Sequence, residues 1–266
     1  MNYQRTIATV CQFSGTGIHT GAPVVVVCHP APAGTGIVFN KRVFVTPKNL
    51  SHTSRATLLE SDGIRVRTPE HFLSACFGLG ISNLKVEVNA EEMPILDGSA
   101  RPFVMGLQQA GIVDQAPAKE FLVREPVVVR DGEQTLLALP DDHLQFTYVL
   151  NYPHSFVGQQ ILTFRFSGKN YCDEIAPART FGFEKEVQEL LSRGLAKGGS
   201  LDNAVIVGDR GYLTPLRFAD ELVRHKIVDM IGDLSVLGSA LKGHFIGIQT
   251  GHSQNMMLVK KLSHEQ

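Results

Sequence analysis

The sequence predicts an α+β protein made of two similar halves, on three observations. Short runs rich in Val, Ile, Leu and Phe recur along the chain, as strands do. Only a few segments carry helix start and stop signals. The coarse order of strands, a helix region and a further strand occurs twice, around a polar stretch at 113–120. No residue-level repeat accompanies this, so the two halves resemble each other as layers only.

The elements follow in order. "APVVVVCH" (22–29), "TGIVF" (35–39) and "RVFV" (42–45) read as strands. "TPEHFLSACFGLG" (68–80) reads as a helix, with Thr68 as cap, Pro69 in its first position and Gly78 or Gly80 at its end. "NLKVEVN" (83–89) alternates like a half-buried strand. "SARPFVMGLQQAG" (99–111) fits a second helix, and "VDQAPAKE" (113–120) a linker between domains. The second half opens with the strands "FLVREPVVVR" (121–130), "QTLLAL" (134–139), "LQFTYVLNY" (144–152) and "QILTFRF" (160–166). A helix (183–194), a glycine-rich turn (196–200) and a strand (203–208) come next. A long helix then spans about Phe218 to Leu237, stopped by Gly238. The strand "GHFIGIQ" (243–249) leads to "TGHSQN" and a short tail.

Composition excludes several classes. The chain has 266 residues and a formal charge of −1, without the basic surplus that a nucleic-acid binder held by phosphate contacts needs. No stretch approaches the ~20 apolar residues of a membrane span. The first residues, "MNYQRTIATVCQF", lack the apolar core of a signal peptide. Cys11, Cys28, Cys76 and Cys172 lie far apart and read as reduced, mostly buried thiols. A cytoplasmic protein is expected, and nothing requires more than a monomer.

The stretch "VRHKIVDMIGDL" (223–234) carries chemistry. On a helical wheel Val223, Ile227, Met230, Ile231, Leu234 and Leu237 form a broad core arc. His225, Asp229 and Asp233 fall opposite, among Leu222, Val228, Gly232 and Val236 rather than Lys and Glu. That face borders a second packed surface or a cleft. His225 and Asp229, one turn apart, are spaced to chelate one ion. A buried His–Asp pair bracing a helix contact fits the same spacing. A third ligand must come from elsewhere, and His19, His71 and His252 are the informative candidates. His71 follows Glu70 in the first turn of its helix, so the two side chains point about 100° apart. One can bind an ion while the other faces a water on it, as the general base of a metallohydrolase does, while a Glu70 that complements the helix dipole beside a packed His71 is the ordinary alternative. His252 sits in a turn past a strand end, where a surface residue is the ordinary alternative.

Seven segments carry a resemblance: "GTGIHTG" (15–21), "TPEHFLSA" (68–75), "MPILDGSA" (93–100), "ARTFGF" (178–183), "GLAKGGSLDNAVIV" (194–207), "RHKIVDMIGDL" (224–234) and "GHSQN" (251–255). In these the chain resembles the bacterial UDP-3-O-acyl-N-acetylglucosamine deacetylases, zinc amidases of lipid A synthesis. The resemblance implies zinc held by His71, His225 and Asp229, with Glu70 as general base and His252 as the second catalytic group. It implies Lys226 and Thr180 around the oxyanion, and Asp233 orienting His252. Phe181, Lys197 and His19 are expected to meet substrate, with Phe183 and Leu195 also lining an acyl passage. The implied fold is two α+β domains, 1–115 and 120–266, each with helices layered on a mainly antiparallel sheet. The active site lies between them, and an acyl-passage insert lies at about 180–210. The chain stops soon after "MMLVKKLSHEQ", where members of that family often continue, which leaves a truncated last helix and a complete one both open.

Two histidines and a carboxylate also describe the facial triad of non-haem iron oxygenases, and iron(II) is a possible occupant in cells. Glu70 and Lys226 favour hydrolysis, since an oxygenase needs neither a base nor an oxyanion clamp. A structural metal would call for four protein ligands rich in cysteine, which the pattern lacks.

Overall fold

A computed structural model describes residues 3–52, 56–238 and 240–264. The chain order is β1 (Tyr3–Ile7), β2 (Cys11–Thr16), β3 (Pro23–Pro30), β4 (Ile37–Phe39), β5 (Val43–Phe44), β6 (Leu50–His52), β7 (Thr57–Ser61), β8 (Ile64–Arg67), α1 (Glu70–Gly78), β9 (Leu84–Val88), α2 (Arg101–Gln109) and β10 (Ile112–Pro117). It continues with β11 (Phe121–Leu122), β12 (Val127–Asp131), β13 (Gln134–Leu139), β14 (Leu144–Asn151), β15 (Gln159–Arg165), α3 (Gly168–Asn170) running into a π-helical turn (Tyr171–Ile175), β16 (Phe181–Phe183), α4 (Glu184–Ser192), β17 (Val205–Gly208), β18 (Gly211–Tyr212), α5 (Glu221–Leu234), β19 (Leu241–Ile248) and α6 (His252–Ser263).

The α+β class holds, and most strand pairs are antiparallel. Of the two larger sheets, the first has the order β2-β3-β9-β4-β5 and the second β12-β13-β19-β14-β15, with β11 pairing β19; β1-β10, β6-β7-β8 and β16-β17-β18 form smaller ones. Within the two larger sheets β4–β9, β14–β19 and β11–β19 are parallel. The first sheet draws only on residues before 90 and the second only on residues after 120. Helix α2 packs on β2, α6 on β12 and β13, and α5 on β14 and β15. In the first half Phe72 of α1 packs edge-on against Phe13, Phe39 and Phe103. Helices α1 and α5 pack against each other.

Several sequence expectations are corrected. The stretch 113–120 is not a free linker, because β10 pairs antiparallel with β1. Its polar residues are engaged: Asp114 bonds Arg5 at 2.7 Å and Gln115 donates to the Ala31 carbonyl at 2.9 Å. The run 121–130 breaks into β11 and β12 ahead of Val127, at Pro126, which has no N–H for a ladder. The residues after "TG" are no loose tail but α6, which buries Asn255, Met256, Leu258, Val259 and Leu262 at helical spacing. His252 is its first residue rather than part of a turn. Thr68 does not cap α1: its φ is +55°, and Pro69 stands at the cap with no side-chain bond. The long helix is shorter than expected, ending at Leu234 with a 3₁₀ turn to Leu237 before Gly238 at φ +130°. All four cysteines are free, with Cys28 and Cys76 buried.

Candidate metal centre

Helix α1 has no exposed face, and every residue of it is buried, Glu70 and His71 included. Helix α5 likewise buries His225, Asp229 and Asp233. The face opposite its apolar arc therefore borders a packed surface. Gly232 explains how closely the two helices approach, because a Cβ there would lie 2.1 Å from the Glu70 carbonyl oxygen. That contact sets the start of α1 over the His–Asp face of α5.

His71, His225 and Asp229 each offer one donor atom, all within 4.8 Å of one another. Asp229 Oδ1 lies 3.3 Å from His225 Nε2 and 3.7 Å from His71 Nε2. Zinc bonds of ~2.0–2.1 Å in a tetrahedron put neighbouring donors about 3.3–3.4 Å apart, so the spacing fits one such ion. His225 Nδ1 sits 3.0 Å from the Ala178 carbonyl. A carbonyl only accepts, so Nδ1 carries the proton and Nε2 keeps its lone pair for a metal. Burial lowers the His225 pKa to about 4, which also holds the ring neutral. Burial opposes charge on Asp229, yet Lys226 and His225 keep its pKa well below the usual carboxylate range. Its Oδ2 accepts from Lys226 Nζ at 2.8 Å. Burial also opposes charge on Lys226, but the adjacent Asp229 holds its pKa above the ordinary lysine value. The donor set is thus a neutral imidazole and an ionised carboxylate joined by His71, all on buried helical turns.

Glu70 faces this cluster from α1. Its Oε1 lies 3.8 Å from His252 Nε2, and its buried Oε2 has no hydrogen-bond partner among the described residues. Burial raises its pKa to about 7. His252 Nδ1 is 2.7 Å from Asp233 Oδ2. Burial disfavours the imidazolium, but the Asp233 carboxylate outweighs it and raises the pKa to about 9.

One cavity of about 950 Å³ joins these groups. Glu70, His71, His225, Lys226, Asp229, Thr180 and His252 line its polar part. Its apolar arm is lined by Phe183, Val187, Leu190, Leu201 and Ile206, from the segment holding β16, α4 and β17. No residue of α4 is buried, so its apolar side faces the cavity rather than a core. Phe181 and His19 line the cavity, and the Phe181 ring meets His225 edge-on at 6.3 Å. Lys197 and Leu195 are not among the lining residues; Lys197 is exposed and its backbone N–H donates to the His19 carbonyl at 3.3 Å.

The segment before α5 is held by a buried pair. Arg179 donates to both Glu221 oxygens, at 2.8 and 3.1 Å, and Arg217 N–H adds a bond of 2.6 Å. Arg217 also reaches Asp97 at 2.9 Å. This anchoring holds Ala178 beside His225 and Thr180 at the cavity. The sequence reading missed Thr57 and Asn255, both bonded to Asp233. It also missed Glu92, whose buried carboxylate accepts from the N–H groups of His19 and Thr20. Asn255 had a signal, since it lies one helical turn beyond His252. Thr57 had none.

Known proteins place the chain. A sequence model of the family described as UDP-3-O-acyl N-acetylglycosamine deacetylase (LpxC) matches residues 4–264. The UDP-3-O-acyl-N-acetylglucosamine deacetylase of Myxococcus xanthus is 42% identical over 269 residues, covering 97% of this chain and 86% of that protein. The protein of that name from Nautilia profundicola is 42% identical over 266 residues, covering 97% and 91%. That from Wolinella succinogenes is 41% identical over 271 residues, covering 99% and 91%. With nearly its whole length matched, the chain belongs to the LpxC family of UDP-3-O-acyl N-acetylglycosamine deacetylases.

Proposed function

We propose that the chain hydrolyses the 2-acetamido group of UDP-3-O-(3-hydroxyacyl)-N-acetylglucosamine to the free amine and acetate, the committed step of lipid A biosynthesis. One observation carries this reading. A three-donor cluster meets, at one cavity, a buried carboxylate whose second oxygen has no partner among the described residues.

His71, His225 and Asp229 would hold zinc. When bound, zinc supplies a Lewis acid that polarises an amide carbonyl and lowers the pKa of a water. Glu70 takes a proton from the attacking water as the water oxygen bonds to the acetamide carbon. A pKa of about 7 suits a base at neutral pH. The Lys226 ammonium has donors beyond the one spent on Asp229, and with Thr180 it faces the developing oxyanion. Such a donor is worth roughly 3–4 kcal/mol. His252, held protonated beside Asp233, stabilises that charge. The C–N bond then breaks, and the amine takes a proton from His252 or from Glu70. Burial keeps these charges in a low dielectric, which strengthens each of them. Iron(II) suits the same donors and is the alternative occupant in cells.

In this reading the acyl chain lies in the apolar arm, with Phe181 against it, and His19 and Lys197 near the nucleotide. The chain divides into domains 1–115 and 120–266, with the acyl-passage insert at about 180–210. Separate sheets support the division, and a small sheet, β16-β17-β18, supports the insert. No helix among the described residues is long and apolar enough to cross a membrane. We place the reaction in the cytoplasm and the chain as a monomer that binds no nucleic acid.

The test is acetate release by metal-stripped protein, with and without one equivalent of zinc, beside Glu70→Ala. Zinc should restore turnover, and the variant should bind zinc yet be nearly inactive. Fully metallated wild type that releases no acetate across several acyl lengths would refute the assignment.

A further inference from the structure

Asp233 does more than meet His252. Its carboxylate is fully buried and accepts three hydrogen bonds. Thr57 Oγ1 donates to Oδ1 at 2.5 Å. His252 Nδ1 and Asn255 Nδ2 donate to Oδ2 at 2.7 and 2.8 Å. The Thr57 oxygen also lies 3.3 Å from His252 Nδ1. A carboxylate held through one oxygen can turn about its Cβ–Cγ bond. With donors on both oxygens, that rotation is stopped.

The donors come from different places in the fold. Thr57 opens β7, in the first half of the chain. His252 and Asn255 share one side of α6, one turn apart. Thr57, Asn255 and Asp233 do not line the cavity and are not among the three donor residues of the cluster. The side chains of Thr57 and Asn255 meet Asp233, and Asp233 meets the His252 ring, whose Nε2 points toward Glu70 Oε1.

We propose that Thr57 and Asn255 are positioning residues for the hydrolysis. They fix the carboxylate plane of Asp233, and through it the direction in which His252 presents Nε2 to the cavity. This rests on the role given to His252 above. It also makes the aim of a group from the second half depend on a hydroxyl from the first, so the site is complete only when the two layers are docked. The competing account is that the three donors only satisfy a buried charge and contribute stability.

The experiment compares zinc-loaded full-length wild type, Thr57→Val, Thr57→Ser and Asn255→Ala, each also in a His252→Ala background. Steady-state kinetics on the acylated UDP-sugar is read beside the downfield imidazole N–H proton resonance of His252. Thr57→Val should lower kcat by roughly 10²-fold, the cost of misplacing a reacting group by about 1 Å, with KM nearly unchanged. Thr57→Ser should recover most of it. The N–H resonance should be lost in the valine variant and present in the serine variant. With His252 already removed, neither Thr57→Val nor Asn255→Ala should lower kcat further. Unchanged kcat in both Thr57→Val and Asn255→Ala overturns the proposal, as does an equal fold-loss with and without His252. If Thr57→Val does not fold, Asn255→Ala carries the same comparison. Wild type without turnover would refute the deacetylase reading instead, and the N–H resonance would still decide whether the two residues fix the ring.

Discussion

Gly232→Ala is the sharpest perturbation that the fold offers. The added Cβ would lie 2.1 Å from the Glu70 carbonyl oxygen, 2.8 Å from its carbon and 2.9 Å from Cα. Ordinary contact begins at 3.4 Å, so the two helices fall about 1.3 Å short of accommodating one methyl group. All the near atoms are backbone, so no side chain can swing aside. Overpacking of this kind costs about 1–3 kcal/mol, and the better helix propensity of alanine returns at most ~1 kcal/mol. The site suffers more than the fold does. His71 rides on α1 while His225 and Asp229 ride on α5, so separating the helices by ~1 Å spreads the donor set. It also withdraws Glu70, and displacements of this size cost roughly 10²-fold in rate. Zinc affinity by chelator competition, thermal unfolding and kcat/KM would be measured on one preparation. The expected result is weaker zinc binding and a kcat/KM lower by two orders of magnitude, with a modest fall in Tm. A variant that binds zinc as wild type does and keeps its rate would refute the claim that this contact sets the site.

Two more predictions concern charge and the apolar arm. In the metal-free chain, the folded-state pKa of His252 is raised from 6.5 to about 9, so its stabilisation is complete below about pH 6.5 and lost as pH rises through 9. Glu70, raised from 4.5 to about 7, adds a fall of the same sign over its own window. His225, lowered from 6.5 to about 4, opposes it only below pH 6.5. Urea unfolding with chelator present should therefore show stability falling from pH 6.5 to 9, on the order of 3 kcal/mol for His252. His252→Gln should flatten that slope, and an equal slope in the variant would count against the Asp233 pairing as its source. In the arm, Ile206→Trp should fill space beside Val187 and Leu190. Excluding about four methylenes costs ~3 kcal/mol of transfer energy, so kcat/KM for long acyl chains should fall by about 10²-fold while short-chain substrates keep theirs. Equal losses for both lengths would place the acyl chain elsewhere.

How much was legible depended on the signal each element carries. Strand runs such as 134–139 and 144–152 could be read because one face is buried and the side chains alternate. The β6-β7-β8 sheet and the β1–β10 ribbon could not, since short strands carry little alternation and their polar residues bond within the fold. Helix α6 had a readable stripe, but glycine and a polar run at its start imitated a turn. His225 and Asp229 stood out by their spacing on an otherwise apolar face. His71 and Glu70 were marked by their adjacency at a helix start and by the family segment that holds them, and bonding between His252 and Asp233 became concrete only once α5 and α6 were packed together.

By itself the sequence determined the class, the helix that carries His225, Asp229 and Asp233, and, through seven segments in order, the family. Those are properties of local spacing and residue type, and spacing along one helix is fixed by the backbone. The tertiary structure alone decided that His71, His225 and Asp229 bring their donor atoms within 4.8 Å of one another, that Glu70 Oε2 has no partner among the described residues, and that Thr57 reaches Asp233 across 176 residues of chain. Those depend on how closely two helices from different halves approach. One missing methyl group, at Gly232, sets that distance.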